Sequence, residues 1–400
     1  MLTLSLSAVI LTAKGVWQGE MNVLEAVQQM APGIAARAEE MEAERGLPAD
    51  LFEELKAAGL FRMLVPRSHG GDQVGLLASM EVLEALAVAD GATGWTTMIG
   101  AESPQLLSLL PLPTYDAIYR DGPNVTVGGS FAPVSEARVE EGGYRVSGRW
   151  PFASGCQRWD WLFVNAVIVE DGEPRMRDDG PVARAMLVRA EQVEIEDTWN
   201  VLGLRGTGSH HIAVDDVYVP EERTFDIFNG VPCVAGVARY PIVDFCFHIT
   251  SVAIGIAQAA LDEVVVGART RRRTSMRSTL AQTPLVQHRL GHAETSLRAA
   301  RGFLRTEAER VERAWACGEE PEFLPLLARV YANDAWVMQV CTAVVTTCFT
   351  VNGAAGIYDG TPLQRRLRDI HTIAQHASLN ENSITRAGAM LLGEEITRWF

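Results

Sequence analysis

Hydrophobic positions follow two different periods along this chain of 400 residues. Over Asn22–Leu110 apolar residues recur every three or four positions in stretches rich in Ala, Leu and Glu, which predicts about five helices. Over Val125–Val219 the pattern changes to alternating and β-branched runs broken by Gly, Asp and Pro, which predicts an antiparallel β domain or small barrel. The helical period then returns over Phe245–Phe400 in long amphipathic segments, which predict an up-down four-helix bundle.

These patterns predict an α+β protein in three parts. Residues 21–122 form an N-terminal helical domain, residues 123–230 a middle β domain, and residues 240–400 a C-terminal bundle. Residues 1–20 are apolar, but they lack the basic start of a signal peptide and precede a second methionine, Met21, so we expect a disordered extension. The chain has no unbroken apolar run of about 18 residues, so no membrane partner is expected.

Composition removes several classes of function. A formal charge of −15 argues against binding to the phosphate backbone of nucleic acids. The six cysteines form no C-x-x-C pair and show no Cys/His ligand spacing, so we expect no metal site. Reduced, mostly buried thiols are typical of a cytoplasmic protein, and we expect that location.

One stretch, Val351–Asn380, concentrates candidate chemistry. Thr361 followed by Pro362 is a good helix start, because a threonine hydroxyl can cap free N–H groups and proline fits the first helical position. In one continuous helix, Asp369 and His376 would share a side, since seven residues span nearly two turns. From spacing alone they could be an acid/base pair, or the helix could simply be a solvated or subunit-facing one.

Three segments carry a resemblance to a known family. RGTGSHHIAVDDVYVP (Arg205–Pro220), GIAQAALD (Gly255–Asp262) and NGAAGIYDGTPLQRRLRD (Asn352–Asp369) resemble, in that order, hallmark segments of the acyl-CoA dehydrogenase superfamily. The resemblance implies an N-terminal helical domain, a middle β domain, a C-terminal four-helix bundle and a flavin between the last two. It also implies a homotetramer, in which the NGAAG turn reaches the cofactor of a neighbouring subunit.

The catalytic base of the dehydrogenases has no counterpart at its usual position. In that family a glutamate stands nine residues after the arginine of the R-D pair, and here that position is Ala377. Some members place the base at a position that corresponds to about Phe245, where the neighbouring Asp244 offers the nearest carboxylate. An acyl-CoA dehydrogenase or flavin oxidase with a displaced carboxylate base therefore remains the alternative function.

Two further motifs resemble the two-component (group D) flavin-dependent monooxygenases built on the same fold. They are R-D-x₆-H, which ends at His376, and GGYRVSGRWPFASG (Gly142–Gly155). The resemblance implies an enzyme that receives FMNH2 or FADH2 from a separate flavin reductase. It implies that this reduced flavin reacts with O2 to give a C4a-hydroperoxyflavin, which oxygenates an aromatic or heteroatom-containing small molecule in a dry pocket.

The same resemblance implies roles for single residues. The hydroxyl of Ser154 would lie near flavin N5, and His376, with a pKa near neutrality, would hydrogen-bond the substrate or the hydroperoxide. Where several aromatic hydroxylases of this group have a second histidine, eight residues after Gly94-Trp95, this chain has Ser103, which leaves room for an N-, S- or polycyclic substrate. The remaining expected site residues contact the flavin, Trp150, Phe152, Gly353, Ala354, Arg368 and Asp369, or the substrate, Trp95, Ser103 and Phe245.

Overall fold

The structure is a computed structural model that describes residues 22–177, 180–272, 278–319 and 321–396. The predicted N-terminal extension, residues 1–20, lies outside the described residues.

The N-terminal part contains six α-helices within its described residues: the five that the apolar period predicted over Asn22–Leu110, and a sixth that follows Leu110. Asp90 caps the fifth of them, because its Oδ1 accepts hydrogen bonds from the backbone N–H of Thr93 at 2.8 Å and from its hydroxyl at 2.9 Å. This helix is buried at every position and lies in the interior of the molecule. The helices are α1 (Val23–Ala36), α2 (Ala38–Glu44), α3 (Ala49–Ala57), α4 (Leu76–Ala89), α5 (Gly91–Leu107) and α6 (Leu112–Ile118).

The middle part is a mixed β-sheet with a separate small hairpin. Its order is β10-β7-β3-β1-β2-β9-β8, β4 pairs with β3, and β5 pairs with β6 alone. The strands are β1 (Val127–Glu140), β2 (Gly143–Trp150), β3 (Trp161–Glu170), β4 (Glu173–Pro174), β5 (Met176–Arg177), β6 (Gly180–Pro181), β7 (Ala183–Arg189), β8 (Glu194–Glu196), β9 (His211–Pro220) and β10 (Thr224–Phe225).

The expectation of a purely antiparallel domain was wrong at one pairing. β1 and β3 run parallel, with Val127 opposite Trp161. The hairpin partner β2 occupies one edge of β1, so the chain must cross the end of β1 to add β3 on its other edge. Parallel neighbours need such a crossover. Residues 151–160 form it, and they place Ser154 at the end of the sheet.

The C-terminal part is a helical bundle built around α7, which is buried at most of its positions. The bundle helices are α7, α8, α9 and α11, and α10 packs across α7 and α9. The predicted order of helical domain, sheet and bundle is confirmed. The bounds are α7 (Pro241–Thr270), α8 (Pro284–Ala316), α9 (Phe323–Asn352), α10 (Pro362–Ile373) and α11 (Glu381–Leu392).

Two helices, α7 and α9, are long and apolar enough to cross a membrane by length and composition alone. The most apolar part of α7 is 72% buried inside the protein, which is typical of a core helix. The corresponding part of α9 is 39% buried, so this helix presents an apolar face outward.

Candidate active site

The crossover between β2 and β3 makes a tight turn that fixes Ser154. Phe152 adopts φ of 61° and Gly155 φ of 71°, both in the left-handed region. A side chain on Gly155 would overlap the indole of Trp159, so glycine is required there. Two hydrogen bonds tie the turn to the segment before β9, from Ala153 N to His210 O at 3.1 Å and from Gly155 N to Thr207 O at 2.8 Å.

Ser154 is buried and takes part in a chain of hydroxyl groups. The indole Nε1 of Trp95, on α5, donates to Ser154 Oγ at 3.1 Å. Ser154 Oγ lies 2.7 Å from Ser209 Oγ, which lies 2.6 Å from Thr207 Oγ1. The site therefore joins the N-terminal helices to two separate segments of the sheet domain.

His376 lies beyond the end of α10. That helix ends at Ile373, so the chain bends before His376, and the continuous helix that would place Asp369 and His376 on one side does not form. His376 instead caps the short turn Ala377–Leu379, and its Nδ1 accepts from the backbone N–H of Ser378 at 3.4 Å and lies 2.8 Å from the Ser378 hydroxyl. Because Nδ1 accepts these bonds, the neutral ring carries its proton on Nε2.

Two aromatic rings flank His376, and a third ring packs against one of them. The His376 ring lies edge-on to Trp95, with centroids 5.8 Å apart, and 6.4 Å from the ring of Phe245 on α7. Phe245 in turn lies 5.1 Å from Phe131 on β1. The structure therefore brings together four residues predicted from the sequence: Trp95, Ser154, Phe245 and His376.

The electrostatic state of His376 differs from the expectation. The imidazole keeps some solvent exposure, yet the protein around it lowers its pKa to about 4 through burial. The expectation of a pKa near neutrality was wrong, because the apolar rings on both sides offer no group that stabilises a charged imidazolium. At pH 7 His376 is neutral, and its Nε2–H is a hydrogen-bond donor.

Arg368 and Asp369 hold α10 against the loop that precedes β9. Asp369 is 2% exposed, and its Oδ1 accepts from the backbone N–H of Leu204 at 2.6 Å. Burial, together with the nearby Asp90 carboxylate, raises the Asp369 pKa to about 7. Arg368 pairs with Glu42 at 2.7 Å and donates to Leu202 O at 2.9 Å. Their contact with a cofactor stays a prediction.

The other expected flavin-binding residues lie at separate places. Trp150 is fully buried, and its Nε1 donates to Asn165 O at 2.7 Å, so it belongs to the core of the sheet rather than to an open wall. Phe152 is 67% exposed beside Trp199, with ring centroids 6.3 Å apart. Gly353 and Ala354 form an exposed turn after α9, and that position leaves them free to meet another subunit.

Ser103, a predicted substrate contact, and Asp244, the candidate displaced base, make other contacts. Ser103 is buried, and its hydroxyl donates to Ile99 O at 2.8 Å within its own helix. Asp244 is buried beside Trp315 and Gln105, and burial raises its pKa to about 7. Because consecutive helical residues point about 100° apart, Asp244 faces these two residues while Phe245 faces His376.

The residues around Ser154 suit a flavin. An isoalloxazine ring is flat and largely apolar with polar atoms along its edges, so it needs ring-shaped apolar neighbours and a polar group at one edge. Phe152 presents an open ring at the surface, and Ser154 lies two residues further along the same turn. Ser154 could hold the edge of a flavin while Phe152 covers its face.

Some residues of the site escaped the sequence reasoning. Ser209, Thr207 and Ser378 support the predicted residues by hydrogen bonds, and Phe131 extends the aromatic wall. The clustered hydroxyl residues of RGTGS were visible in the sequence, but nothing there told which of them would approach Ser154.

Family comparisons agree with this architecture. Residues 20–108 match the family model for the acyl-CoA dehydrogenase N-terminal domain, and residues 247–381 match the model for the C-terminal domain. Among solved structures, XiaF from Streptomyces sp., in complex with FADH2 and glycerol, superposes with a TM-score of 0.86, at 27% identity over 93% of this chain and 95% of that one. The 3-HSA hydroxylase from Rhodococcus sp. RHA1 gives 0.85, at 28% identity over 94% and 98% of the two chains.

Comparison with curated relatives identifies the kind of enzyme within this superfamily. Indole-3-acetate monooxygenase from Pseudomonas putida is 33% identical, covering 92% of this chain and 94% of its own. The oxygenase subunit HsaA from Rhodococcus jostii is 29% identical, covering 89% and 94%. The chain belongs to the acyl-CoA dehydrogenase superfamily, among its flavin-dependent monooxygenases. It is an oxidoreductase that uses reduced flavin.

Proposed function

We propose that this chain is the oxygenase component of a two-component system that uses FADH2 to insert one oxygen atom of O2 into an aromatic small molecule. The observation that carries the proposal is the contact group of Trp95, Ser154, Phe245 and His376, in which polar groups meet aromatic walls. Reduced flavin supplies the two electrons that O2 activation requires. FAD is preferred over FMN because XiaF is described with FADH2 and a resorcinol hydroxylase 29% identical to this chain is FADH2-dependent.

We assign each side chain of this group a role towards the flavin or the substrate. Ser154 hydrogen-bonds the flavin edge near N5, and Phe152 covers the ring. His376 donates its Nε2–H to an oxygen atom at the reacting end, and its neutral state suits a donor rather than a base. Trp95 and Phe245 flank His376 and exclude water, which a short-lived oxygenating species requires.

The substrate we propose is a fused or substituted aromatic with a hydrogen-bond acceptor. The rings of Trp95, Phe245 and Phe131 would stack on such a molecule, and His376 would donate to its acceptor. Indole-3-acetate is the first candidate, because the 33% identical relative carries that name.

The proposed function implies a partner protein and an assembly of several copies of this chain. A separate flavin reductase would supply FADH2, since the relatives include proteins named as oxygenase subunits or components. We propose a homotetramer, since the turn at Gly353 leads to Ile357 and Tyr358, which are 61% and 69% exposed. The six cysteines are free, which suits the reducing cytoplasm.

The decisive experiment supplies anaerobically reduced FAD, then ¹⁸O2, to the purified protein with indole-3-acetate. We expect a product that carries one ¹⁸O atom, with FADH2 giving more of it than FMNH2. A parallel sample receives oxidised FAD and an acyl-CoA without O2. Bleaching of that flavin, with no labelled product in the first sample, would favour the dehydrogenase alternative and overturn the proposal.

A further inference from the structure

Four buried groups form an unbroken hydrogen-bond chain that includes Ser154. It runs from Trp95 Nε1 through Ser154 Oγ, Ser209 Oγ and Thr207 Oγ1. Thr207 Oγ1 also lies 2.9 Å from the carbonyl oxygen of Leu204. The four side chains are between 1% and 8% exposed, so bulk water has little access to them.

The direction of every hydrogen bond in this chain follows from counting protons. A carbonyl oxygen can only accept, so Thr207 donates its single hydroxyl proton to Leu204 O. Thr207 must then accept from Ser209, which uses the only hydroxyl proton of Ser209. Ser209 must in turn accept from Ser154.

Ser154 can therefore form a further hydrogen bond only as an acceptor. Its proton points to Ser209, one lone pair accepts from Trp95 Nε1, and one lone pair remains free. Reversing the chain would release the Ser154 proton but would remove the hydroxyl bond to Leu204 O, so the reversed order makes one hydrogen bond fewer. Ser154 is therefore held as an acceptor towards any ligand that reaches its hydroxyl oxygen.

We propose that Ser209 and Thr207 are positioning residues that orient Ser154 as an acceptor, and that this orientation makes the flavin site select the reduced cofactor. N5 of a reduced flavin carries a hydrogen that Ser154 can accept, whereas N5 of an oxidised flavin carries none and offers a second acceptor against the Ser154 lone pair. The inference rests on the proposed function, which places Ser154 at N5.

The test measures binding rather than turnover. The full-length protein is titrated anaerobically with reduced FAD and separately with oxidised FAD, and free flavin is measured after ultrafiltration. We expect wild type to bind the reduced form more tightly. In Ser209→Ala, Ser154 loses its acceptor and can donate to N5 of oxidised FAD. The dissociation constant for oxidised FAD divided by that for reduced FAD should therefore fall about five- to tenfold, the equivalent of one net hydrogen bond.

Matched variants separate orientation from damage to the fold. Thr207→Ser keeps the hydroxyl and should keep the wild-type ratio, whereas Thr207→Val should lower it as Ser209→Ala does. Ser130→Ala is the control for packing, because Ser130 is equally buried and its hydroxyl donates to Pro151 O at 2.8 Å in the same turn but outside the chain. It should change both affinities together and leave the ratio unchanged.

Several outcomes would overturn the inference. A wild type that binds both redox states equally would do so, and so would Ser209→Ala and Thr207→Val variants that retain the wild-type ratio. If those variants keep the ratio while wild type still makes ¹⁸O-labelled product, only the inference fails. If wild type binds no flavin and makes no product, the proposed function fails together with it.

Discussion

At the scale of single residues, His376 is the group whose chemistry the fold decides most strongly. Ser378 fixes its tautomer through Nδ1, and the rings of Trp95 and Phe245 keep it neutral. A neutral imidazole with its proton on Nε2 can donate a hydrogen bond at pH 7 but carries no positive charge. The role we propose for it is to hold and polarise an oxygen atom, which a different donor could imitate in part.

The first prediction concerns that donor. His376→Ala should bind FADH2 as wild type does but lower product at least about tenfold, with the lost product appearing as hydrogen peroxide. His376→Gln retains an N–H donor and should recover part of the product. Product by mass spectrometry and peroxide by a coupled assay give the ratio. His371→Ala, on the neighbouring helix, is the control, and equal uncoupling in both alanine variants would refute the role of His376.

Motifs predicted four members of the candidate site but could not predict their protonation states. Trp95, Ser154, Phe245 and His376 were selected from the sequence, and the structure places them in contact. The pKa of His376 depends on rings contributed by α5 and α7, which lie about 130 to 280 positions away in the chain. Desolvation by distant elements leaves no local pattern in a sequence.

At the scale of elements, the position of α10 depends on its contact with the loop that leads into β9. Gly203 packs directly on the backbone of Arg368 and Asp369, and the Leu204 N–H donates to Asp369. This contact fixes the end of α10 and therefore the start of the turn that carries His376. The sequence predicted the start of the helix at Thr361-Pro362, but its docking partner, the loop at Gly203 and Leu204, came only from the fold.

The second prediction tests this docking. In Gly203→Ala the added methyl group would overlap the backbone of Arg368, so we expect a loss of about 1–3 kcal/mol in the free energy of unfolding, together with lower product. Gly291→Ala is the matched control, because a Cβ there meets nothing within 4 Å on exposed α8, and it should stabilise by about 0.5–1 kcal/mol. Denaturant melts measure both, and equal stability of the two variants would contradict the docking role.

The third prediction concerns Asp369 and pH. Its pKa is raised from 3.8 to about 7, so between these pH values the folded state holds a proton that the unfolded state has lost. The stability that this proton contributes is lost as the pH rises through about 7. Asp369→Asn keeps an oxygen that can accept from Leu204 N but never ionises. The free energy of unfolding of the variant minus that of wild type should therefore rise with pH from 5 to 7, by up to about 1.4 kcal/mol per pH unit. A flat difference across that range would show that Asp369 is already ionised in the folded protein.

At the scale of the whole molecule, the chain leaves apolar surface that a single copy does not cover. Trp336 and Phe303 lie 5.3 Å apart on the outer faces of α9 and α8, at 41% and 38% exposure. Ile357 and Tyr358 add a second exposed pair just after the turn at Gly353. Adjoining apolar residues of this size at the surface are typical of protein contacts rather than of free solvent-facing helices.

The fourth prediction concerns assembly. Wild type should sediment near four times the 43.6 kDa of one chain. Ile357→Glu/Tyr358→Glu places charges at the proposed contact and should shift the protein to smaller species, because burying an unpaired carboxylate is costly. If the same turn also reaches the cofactor of a neighbour, affinity for FADH2 should fall with the mass. A shift in mass without a change in flavin affinity would keep the assembly but remove that turn from the flavin site.

The control for assembly is Leu112→Glu, which introduces the same charge at a 44% exposed leucine in the N-terminal part, away from the proposed contact. It should leave both the sedimentation coefficient and flavin affinity unchanged, because its side chain is already exposed and lies outside the contact that we propose. A wild-type protein that sediments at 43.6 kDa would refute the tetramer outright. The exposed pairs would then have to be covered by something other than a second copy, and a flavin reductase would be the first partner to test by co-sedimentation.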